Sequence, residues 1–374
     1  MIKVLNVISD TNIGGAGRVL LNYLKYADRE AFDVSVALPR GSALRERIAA
    51  LDVPVHEVDG MADKSLDLAA VGKLKKLIRA VGPDIVHTHG SMSGRIAGRQ
   101  CGKAVVYTRH SVFPVSPRVK KGLGRWLNKT VNEHYADRII AVSPAAMENL
   151  TDGGIAPALI DVVMNGVEPV PPASAEAAAA FRASWGIGEG ELVLGILARI
   201  EAYKGHNDLL DALKRLRDEG RPVRLLIAGT GAFEAEAKAH AEALGLGDAA
   251  VFCGFMKDVS LFLSSIDVQM NASYGTEASS LSLLEGFSLG VPAVVSDYGG
   301  NPYLVDEGVD SLVFPTRDTE ALAGCVRRLM DEEGLLASLS AGARRSYAGR
   351  YTVEIFARRT EEVYRKAWEG KHHG

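Results

Sequence analysis

The alternation of short, β-branched apolar runs with longer amphipathic stretches restricts the fold of this chain more than any other feature. Such alternation is typical of βαβ units, in which helices connect the strands of a parallel sheet. The first series of strand-like runs is Ile2–Ile8, Asp33–Leu38, Asp84–Thr88, Ala104–Thr108 and Arg138–Val142. The second series is Leu192–Arg199, Val223–Ala228, Ala250–Gly254, Asp267–Met270 and Pro292–Ser296. We therefore predict an α/β protein with two doubly wound domains.

The length of the chain agrees with two domains, because 374 residues exceed what a single core usually holds. The alternation stops over residues 166–185, where three prolines precede an alanine run, and we predict a linker and a short helix there. The expected domains are residues 1–167 and 168–351. The helical pattern at 352–368 has no strand after it, and we expect this helix to pack back on the first domain.

Composition and charge exclude several classes of protein. The formal net charge of −3 gives no support for nucleic-acid binding. Cys101, Cys253 and Cys325 form no Cys-x-x-Cys pair, which fits a reducing compartment. The sequence has no apolar run of the roughly 18–20 residues that span a bilayer, and its first residues predict a buried strand rather than a signal peptide. We therefore expect a cytoplasmic protein that touches a membrane only at its surface.

Two glycine clusters follow predicted strands and precede predicted helices. Gly14-Gly15-Ala16-Gly17 comes before a helix expected to begin near Arg18, and Gly229-Thr230-Gly231 follows the second strand of the second series. Glycine lets a backbone approach a ligand closely, and a helix N-terminus offers N–H groups to anions. A tight turn explains either cluster equally simply. The spacing matches neither a G-x-G-x-x-G motif nor a P-loop, which disfavours dinucleotides and ATP.

Charged residues at predicted strand ends suggest a site for a diphosphate. Arg199 and Lys204 place two cations near the end of one strand, where they suit a leaving group that carries negative charge. A surface ion pair between Arg199 and Glu201 is the alternative. Glu277 and Glu285 flank a helix start near Ser280, so the two carboxylates suit hydroxyls on either side of a pyrophosphate.

Other readings exist for the glutamates and the histidines. The segment from Ser282 to Glu285 also matches a capping box. His87 and His89 lie near the end of one strand, and His110 follows the next strand. A His-x-His pair on a strand is compatible with zinc, but no third ligand has suitable spacing and no Asp-x-Asp occurs. We predict no metal site and regard His110 as the histidine most suited to a ligand.

A basic segment suggests contact with an anionic partner. Residues 85–132 contain no Asp or Glu, although the chain has 46 acidic residues. The segment contains nine Lys and Arg, namely Arg95, Arg99, Lys103, Arg109, Arg118, Lys120, Lys121, Arg125 and Lys129. Within residues 118–131, apolar residues occur at helical spacing, which predicts a basic amphipathic helix suited to anionic headgroups. Packing of the apolar stripe on the first sheet is the alternative.

The ordered set of motifs resembles glycosyltransferase family 4 over residues 3–320. The motifs are Gly14-Gly15, Asp84-Ile-Val-His-Thr-His89, Thr108-Arg-His110, Val142-Ser-Pro144, Asn165-Gly-Val167, Arg199 with Lys204-Gly205, Gly229-Thr-Gly231, Glu277-x7-Glu285-Gly-Phe-Ser-Leu-Gly-Val-Pro and Gly299-Gly-Asn-Pro302. The resemblance implies a GT-B fold, in which two Rossmann-like domains face each other across a cleft. It also implies a nucleotide-sugar donor, retention of anomeric configuration and no cofactor or metal.

The resemblance also implies a role for each matching residue. Arg199 and Lys204 would hold the donor pyrophosphate, Glu277 the sugar hydroxyls and Glu285 the ribose. The Ser280 and Leu281 amides would contact phosphate, His110 would lie beside the transferred sugar, and the Gly14-Gly15 loop would close against the donor. The implied catalytic residues are His110, Glu277, Arg199 and Lys204, and the implied donor-binding residues are Gly14, Gly15, Arg199, Lys204, Gly229, Ser280, Leu281 and Glu285.

The expected reaction is transfer of a hexose or N-acetylhexosamine to a glycan or lipid-linked acceptor, in cell-surface polysaccharide or glycolipid synthesis. Many family members have Glu-Gly-Phe-Gly where this chain has Glu277-Ala278-Ser279-Ser280, so the preferred donor is left open. The alternatives are a nucleotide-sugar 2-epimerase of the same fold and a nucleotide-sugar-binding subunit without turnover. A nicotinamide dehydrogenase is a further alternative, which the absent G-x-G-x-x-G motif disfavours.

Overall fold

Parallel strands form two separate sheets in the computed structural model, which describes residues 1–61 and 64–372. One compact unit consists of residues 1–167 together with the segment from Val353 onward, and the other is Glu168–Thr352. We call them the first and the second domain. No helix within the described ranges is long and apolar enough to cross a membrane.

The first domain contains a parallel sheet with the spatial order β3-β2-β1-β4-β5-β6-β7. Its strands are β1 (Ile2–Ile8), β2 (Phe32–Pro39), β3 (Val55–Val58), β4 (Ile85–His89), β5 (Ala104–Arg109), β6 (Arg138–Ala141) and β7 (Ile160–Val162). Its helices are α1 (Gly15–Tyr26), α2 (Leu44–Ala49), α3 (Leu68–Val81), α4 (Met92–Gln100), α5 (Pro117–Lys120), α6 (Gly122–His134) and α7 (Pro144–Asp152), and the last helix of the chain also belongs to this domain.

The second domain contains a parallel sheet with the order β10-β9-β8-β11-β12-β13. Its strands are β8 (Leu192–Leu197), β9 (Val223–Ala228), β10 (Ala250–Gly254), β11 (Val268–Asn271), β12 (Ala293–Ser296) and β13 (Ser311–Phe314). The remaining helices are α8 (Ala175–Ser184), α9 (His206–Asp218), α10 (Glu234–Ala243), α11 (Val259–Ser264), α12 (Leu281–Leu289), α13 (Asn301–Leu304), α14 (Thr319–Asp331), α15 (Leu335–Ser346) and α16 (Val353–His372).

Apolar side chains cover both faces of each sheet, as a parallel sheet requires. In the second domain, Leu225 and Ile227 of β9 join the core cluster that includes α9, whereas Leu226 joins the opposite cluster with Phe262 of α11. Full burial of each such side chain contributes about 1.5–3 kcal/mol to the free energy of unfolding. Alternate residues of one strand therefore hold helices against both faces, which confirms the predicted doubly wound α/β architecture.

Helix α16 packs within the first domain through polar and aromatic contacts. Glu361 Oε1 accepts a hydrogen bond from the Asp28 amide at 2.8 Å, and Lys366 pairs with Asp161 of β7 at 2.8 Å. The ring of Tyr364 is fully buried and meets Phe32 edge to face. These contacts link α16 to the segment before β2 and to the edge strand β7, and they pack Tyr364 against the start of β2.

Several sequence-based boundaries were wrong. Helix α1 begins at Gly15 rather than near Arg18, so the glycine cluster forms its first turn. The alanine run, in contrast, lies inside α8, as predicted for the short helix that accompanies the linker. The basic amphipathic segment is two helices, because Lys121 is extended between α5 and α6 and Gly122, the first residue of α6, has a φ of +59°.

Candidate functional site

The strand order of the second domain locates its ligand crevice. Strands β8 and β11 are neighbours in the sheet but are far apart in sequence, and successive strands leave from them in opposite directions. In doubly wound sheets, ligands bind outside the carboxyl ends of the strands at such a switch point. The segments that leave β8 and β11 there carry Arg199, Lys204 and Glu277. The topology therefore brings together the residues to which the sequence assigned the diphosphate and the sugar.

Lys204 and Glu277 form an ion pair at this crevice. Lys204 Nζ donates to Glu277 Oε2 at 2.7 Å, and Ser273 Oγ and Asn271 Nδ2 lie 3.2 and 3.4 Å from the same oxygen. Only 5% of Glu277 is exposed. The protein thus holds a nearly buried carboxylate with a cation and polar neighbours, an arrangement suited to a ligand with both hydroxyls and negative charge.

The backbone at this ion pair requires unusual conformations. Gly205 follows Lys204 with a φ of +73°, and a Cβ there would lie 2.1 Å from the carbonyl oxygen of Ala272. Thr276 precedes Glu277 with a φ of +42°, which is strained for a β-branched residue. The Tyr274 amide donates to the Tyr203 carbonyl at 2.8 Å and joins the two loops. These features fix the loops that present Lys204 and Glu277.

Arg199 lies two residues beyond the end of β8, rather than at the strand end as predicted. It is exposed, and its Nη2 lies 3.3 Å from the Tyr203 hydroxyl. Within the described residues it forms no ion pair with Glu201, so that alternative is not observed. The guanidinium therefore remains available to an anion near Lys204.

The start of α12 lies in the loop region that follows β11. Ser280 is the N-cap residue but makes no side-chain capping bond, and its hydroxyl lies 3.1 Å from that of Ser282. Ser282 is already inside the helix, which excludes the predicted alternative of a capping box with Glu285. Leu281 is the first helical residue, and Glu285 is buried one turn further on. The backbone N–H groups of this first turn are thus not occupied by a cap from Ser280.

Packing explains some of the glycines in the two clusters but not others. A Cβ at Gly229 would lie 1.9 Å from the Ala198 carbonyl oxygen, and a Cβ at Gly17 would lie 2.9 Å from Leu44. Packing against the backbone therefore requires glycine at Gly229, and at Gly17 a larger residue would have to displace the Leu44 side chain. At Gly15 an added Cβ would meet no atom within 4 Å, and at Gly14 its nearest contact would be 3.9 Å away. Packing does not explain these two glycines, and the approach of a ligand to them stays a prediction.

The switch point of the first sheet lies between β1 and β4, where histidines collect. His89 is the last residue of β4, and His110 follows the end of β5. His89 Nδ1 lies 2.9 Å from His110 Nε2. Burial lowers the pKa of His110 to about 4 and that of His87 to about 3, so both rings are neutral at pH 7.

The two histidines considered for zinc use their nitrogens in hydrogen bonds. His87 contacts the Tyr364 hydroxyl and the Thr108 hydroxyl, each at 2.7 Å, and His89 contacts His110 and Asn6. Within residues 1–61 and 64–372, no group of three or more His, Cys, Asp or Glu side chains is arranged to hold a metal ion.

Sequence reasoning missed the polar residues that support the site. Asn271, Ser273 and Asn6 are buried partners of Glu277 and His89. The available signal was a polar residue in or just after an otherwise apolar strand, such as Asn6 within Ile2–Ile8. Such a residue is costly to bury without a hydrogen bond, so it marks a position with a specific partner.

Comparisons with known proteins agree with the fold and the motifs. A family model described as Glycosyltransferase Family 4 matches residues 13–170, and one described as Glycosyl transferases group 1 matches residues 178–346. The D-inositol 3-phosphate glycosyltransferase of Kribbella flavida is 26% identical over 90% of this chain and 85% of its own. The UDP-Gal:alpha-D-GlcNAc-diphosphoundecaprenol alpha-1,3-galactosyltransferase of Escherichia coli is 25% identical over 89% of each chain.

The solved structure of Anabaena HepE in complex with UDP superposes with a TM-score of 0.84, covering 98% of this chain and all of that one at 21% identity. Two Rossmann-like domains with these sheets define the GT-B fold, as the sequence predicted. The chain belongs to glycosyltransferase family 4.

Proposed function

We propose that this glycosyltransferase is a retaining, metal-independent enzyme that moves a hexose or N-acetylhexosamine from a nucleotide-diphosphate sugar to a glycan or lipid-linked acceptor. We place the reaction in cell-surface polysaccharide or glycolipid synthesis, at the inner face of the cytoplasmic membrane. The observation that carries the proposal is the Lys204–Glu277 pair, held at 2.7 Å at the switch point of the second domain.

The donor side follows from the charges around that pair. Lys204 and the exposed Arg199 supply positive charge where a diphosphate would leave, and the first turn of α12 adds N–H groups from Leu281 onward. Glu277 offers a carboxylate to sugar hydroxyls. The binding of UDP by HepE, a structural neighbour, supports a nucleotide diphosphate as the ligand of this crevice.

Transfer with retention needs no protein nucleophile in this scheme. The acceptor oxygen attacks the anomeric carbon from the side on which the diphosphate leaves, and the bond between that carbon and the phosphate oxygen breaks. The acceptor proton passes to the departing phosphate oxygen. The main contribution of Lys204 and Arg199 is to stabilise the negative charge that develops on that phosphate.

Donor turnover is expected to survive excess EDTA. Lys204 and Arg199 would supply the positive charge that a divalent cation supplies in other transferases, so chelation should change kcat by less than about twofold. Release of UDP from UDP-glucose and UDP-galactose, with and without EDTA, measures this. Turnover that disappears with EDTA and returns with magnesium or manganese would contradict metal independence.

The acceptor side of the proposal rests on helices α5 and α6. The apolar stripe does not pack on the first sheet, because Leu123, Trp126, Leu127 and Val131 are all exposed, Leu123 by 71%. Arg95, in contrast, is buried and bonds the Asn132 and Tyr135 carbonyls at the end of α6. An exposed apolar stripe flanked by basic residues suits an anionic membrane that presents a lipid-linked acceptor.

Binding to anionic liposomes is therefore expected at low salt. The side chains of Arg118, Lys121 and Lys129 are exposed and form no hydrogen bond or ion pair within the described residues, so their triple change to glutamate removes charge without breaking a side-chain contact. Each contributes about 1 kcal/mol near such a surface. Co-sedimentation should fall in this variant and fade above roughly 0.5 M salt.

A matched triple variant controls for net charge. Arg47, Lys76 and Arg79 are exposed on α2 and α3, and their change to glutamate should leave liposome binding intact. Equal recovery of the wild-type protein in the supernatant with and without anionic liposomes would reject the membrane contact and favour a soluble glycan acceptor.

A further inference from the structure

Asn6, His89 and His110 form a hydrogen-bonded line on one face of the first sheet. His89 Nε2 lies 3.1 Å from Asn6 Oδ1, and His89 Nδ1 lies 2.9 Å from His110 Nε2. Asn6 and His89 are buried, whereas His110 keeps part of its surface exposed. The line therefore leads from the interior of the domain to a histidine that a ligand can reach.

The hydrogen bonds determine where the protons lie. Asn6 Oδ1 can only accept, so His89 Nε2 carries a proton. Burial holds the pKa of His89 well below its ordinary value and lowers that of His110 to about 4, so each ring carries one proton at pH 7. His89 Nδ1 is then an acceptor, and His110 Nε2 donates to it. His110 Nδ1 is left unprotonated, and no described residue forms a hydrogen bond to it.

We propose that Asn6 and His89 are positioning residues that fix His110 in the Nε2–H tautomer and present its Nδ1 as an acceptor for a hydroxyl of a bound sugar. The hydrogen bond on one ring nitrogen decides the state of the other, as in many functional histidines. The identity of the ligand rests on the proposed function, but the tautomer does not. Asn6 and His89 need not touch the sugar to act in this way.

Nitrogen-15 NMR of histidine-labelled protein tests the tautomer without any substrate. The His110 signals, assigned by their loss in His110→Ala, should show a proton on Nε2 in the wild type. His89→Phe keeps a ring but removes the acceptor, so both His110 tautomers should then appear. His87→Phe is the matched control, since His87 is buried in the same cluster but bonds Thr108 and Tyr364 instead.

Two results would overturn the proposal: a wild-type His110 with its proton on Nδ1, or an unchanged tautomer in His89→Phe. Asn6→Leu provides a second variant if His89→Phe folds poorly, because it removes the acceptor that orients His89. It should also mix the two tautomers.

The kinetic consequence is measured with UDP-glucose. In His89→Phe or Asn6→Leu, kcat should fall roughly tenfold, the size of one lost oriented hydrogen bond, while KM changes less than about twofold. A folded variant with the wild-type kcat would overturn the positioning role. If the wild type does not turn over UDP-glucose, the NMR result still decides the tautomer. Failure of the proposed function can therefore be distinguished from failure of the positioning proposal.

Discussion

Replacing Glu277 with glutamine is expected to lower kcat for sugar transfer by roughly a hundred- to a thousand-fold, the usual cost of one pre-oriented polar group at a reacting centre. Glutamine keeps the shape of the side chain but removes the negative charge to which Lys204, Ser273 and Asn271 are directed. The affinity for UDP should stay the same or rise, because Lys204 no longer has a carboxylate partner that competes with the diphosphate. Steady-state kinetics and calorimetric titration with UDP measure the two effects separately.

Glu234→Gln is the matched control for that variant. Glu234 also pairs with a lysine, Lys238, at 2.7 Å in the same domain, but that pair is more exposed than the Lys204–Glu277 pair and should contribute little. Its change is expected to leave both kcat and UDP affinity at wild-type values. A Glu277→Gln enzyme with normal kcat, or one that loses UDP affinity, would show that Glu277 does not act on the sugar.

Replacing Lys204 with methionine is expected to weaken UDP binding by about ten- to a hundredfold, which corresponds to about 1.5–3 kcal/mol for a charged hydrogen bond. Turnover should fall with it. The free energy of unfolding should also fall, because Glu277 would remain nearly buried without its cation. Calorimetric titration and thermal unfolding measure the two effects.

A double variant separates binding from stability. Adding Glu277→Gln to Lys204→Met removes the unpaired carboxylate, so the Tm should recover while UDP affinity stays low. Lys214→Met is the control, since Lys214 pairs with the exposed Asp218 on α9. Wild-type UDP affinity in Lys204→Met would mean that Lys204 does not hold the diphosphate.

The sequence predicted the central strands and the edge strand β10 well but missed the other three edge strands. The predicted ends of β1, β9 and β10 agree with the structure, because these apolar runs end at polar residues or glycine. Strands β3, β7 and β13 were not predicted, and all three lie at an edge of a sheet. They have only three or four residues, and β3 is only partly buried, so they leave no continuous apolar run in the sequence.

The sequence placed the candidate residues at strand ends but could not show which of them meet. The Lys204–Glu277 contact joins residues 73 positions apart and depends on β8 and β11 being neighbours in the sheet. The contact between His89 and Asn6 likewise depends on the pairing of β4 with β1. The sequence also could not show whether the apolar stripe on α6 is buried or exposed, because the amphipathic periodicity is the same for a helix packed on a sheet and for a helix whose apolar face is exposed.

Thermal unfolding of the wild-type protein with UDP, GDP and ADP tests the central claim most directly, namely that the second domain binds a nucleotide-diphosphate donor through Lys204. At a concentration of about 100 times its Kd, the preferred nucleotide should stabilise the protein by about 2.7 kcal/mol. For a domain of this size, that corresponds to a rise in Tm of roughly 5–10 °C. We expect one of the three nucleotides to give such a rise and Lys204→Met to reduce it strongly. No rise with any of the three at millimolar concentration, or an equal rise in Lys204→Met, would contradict the claim.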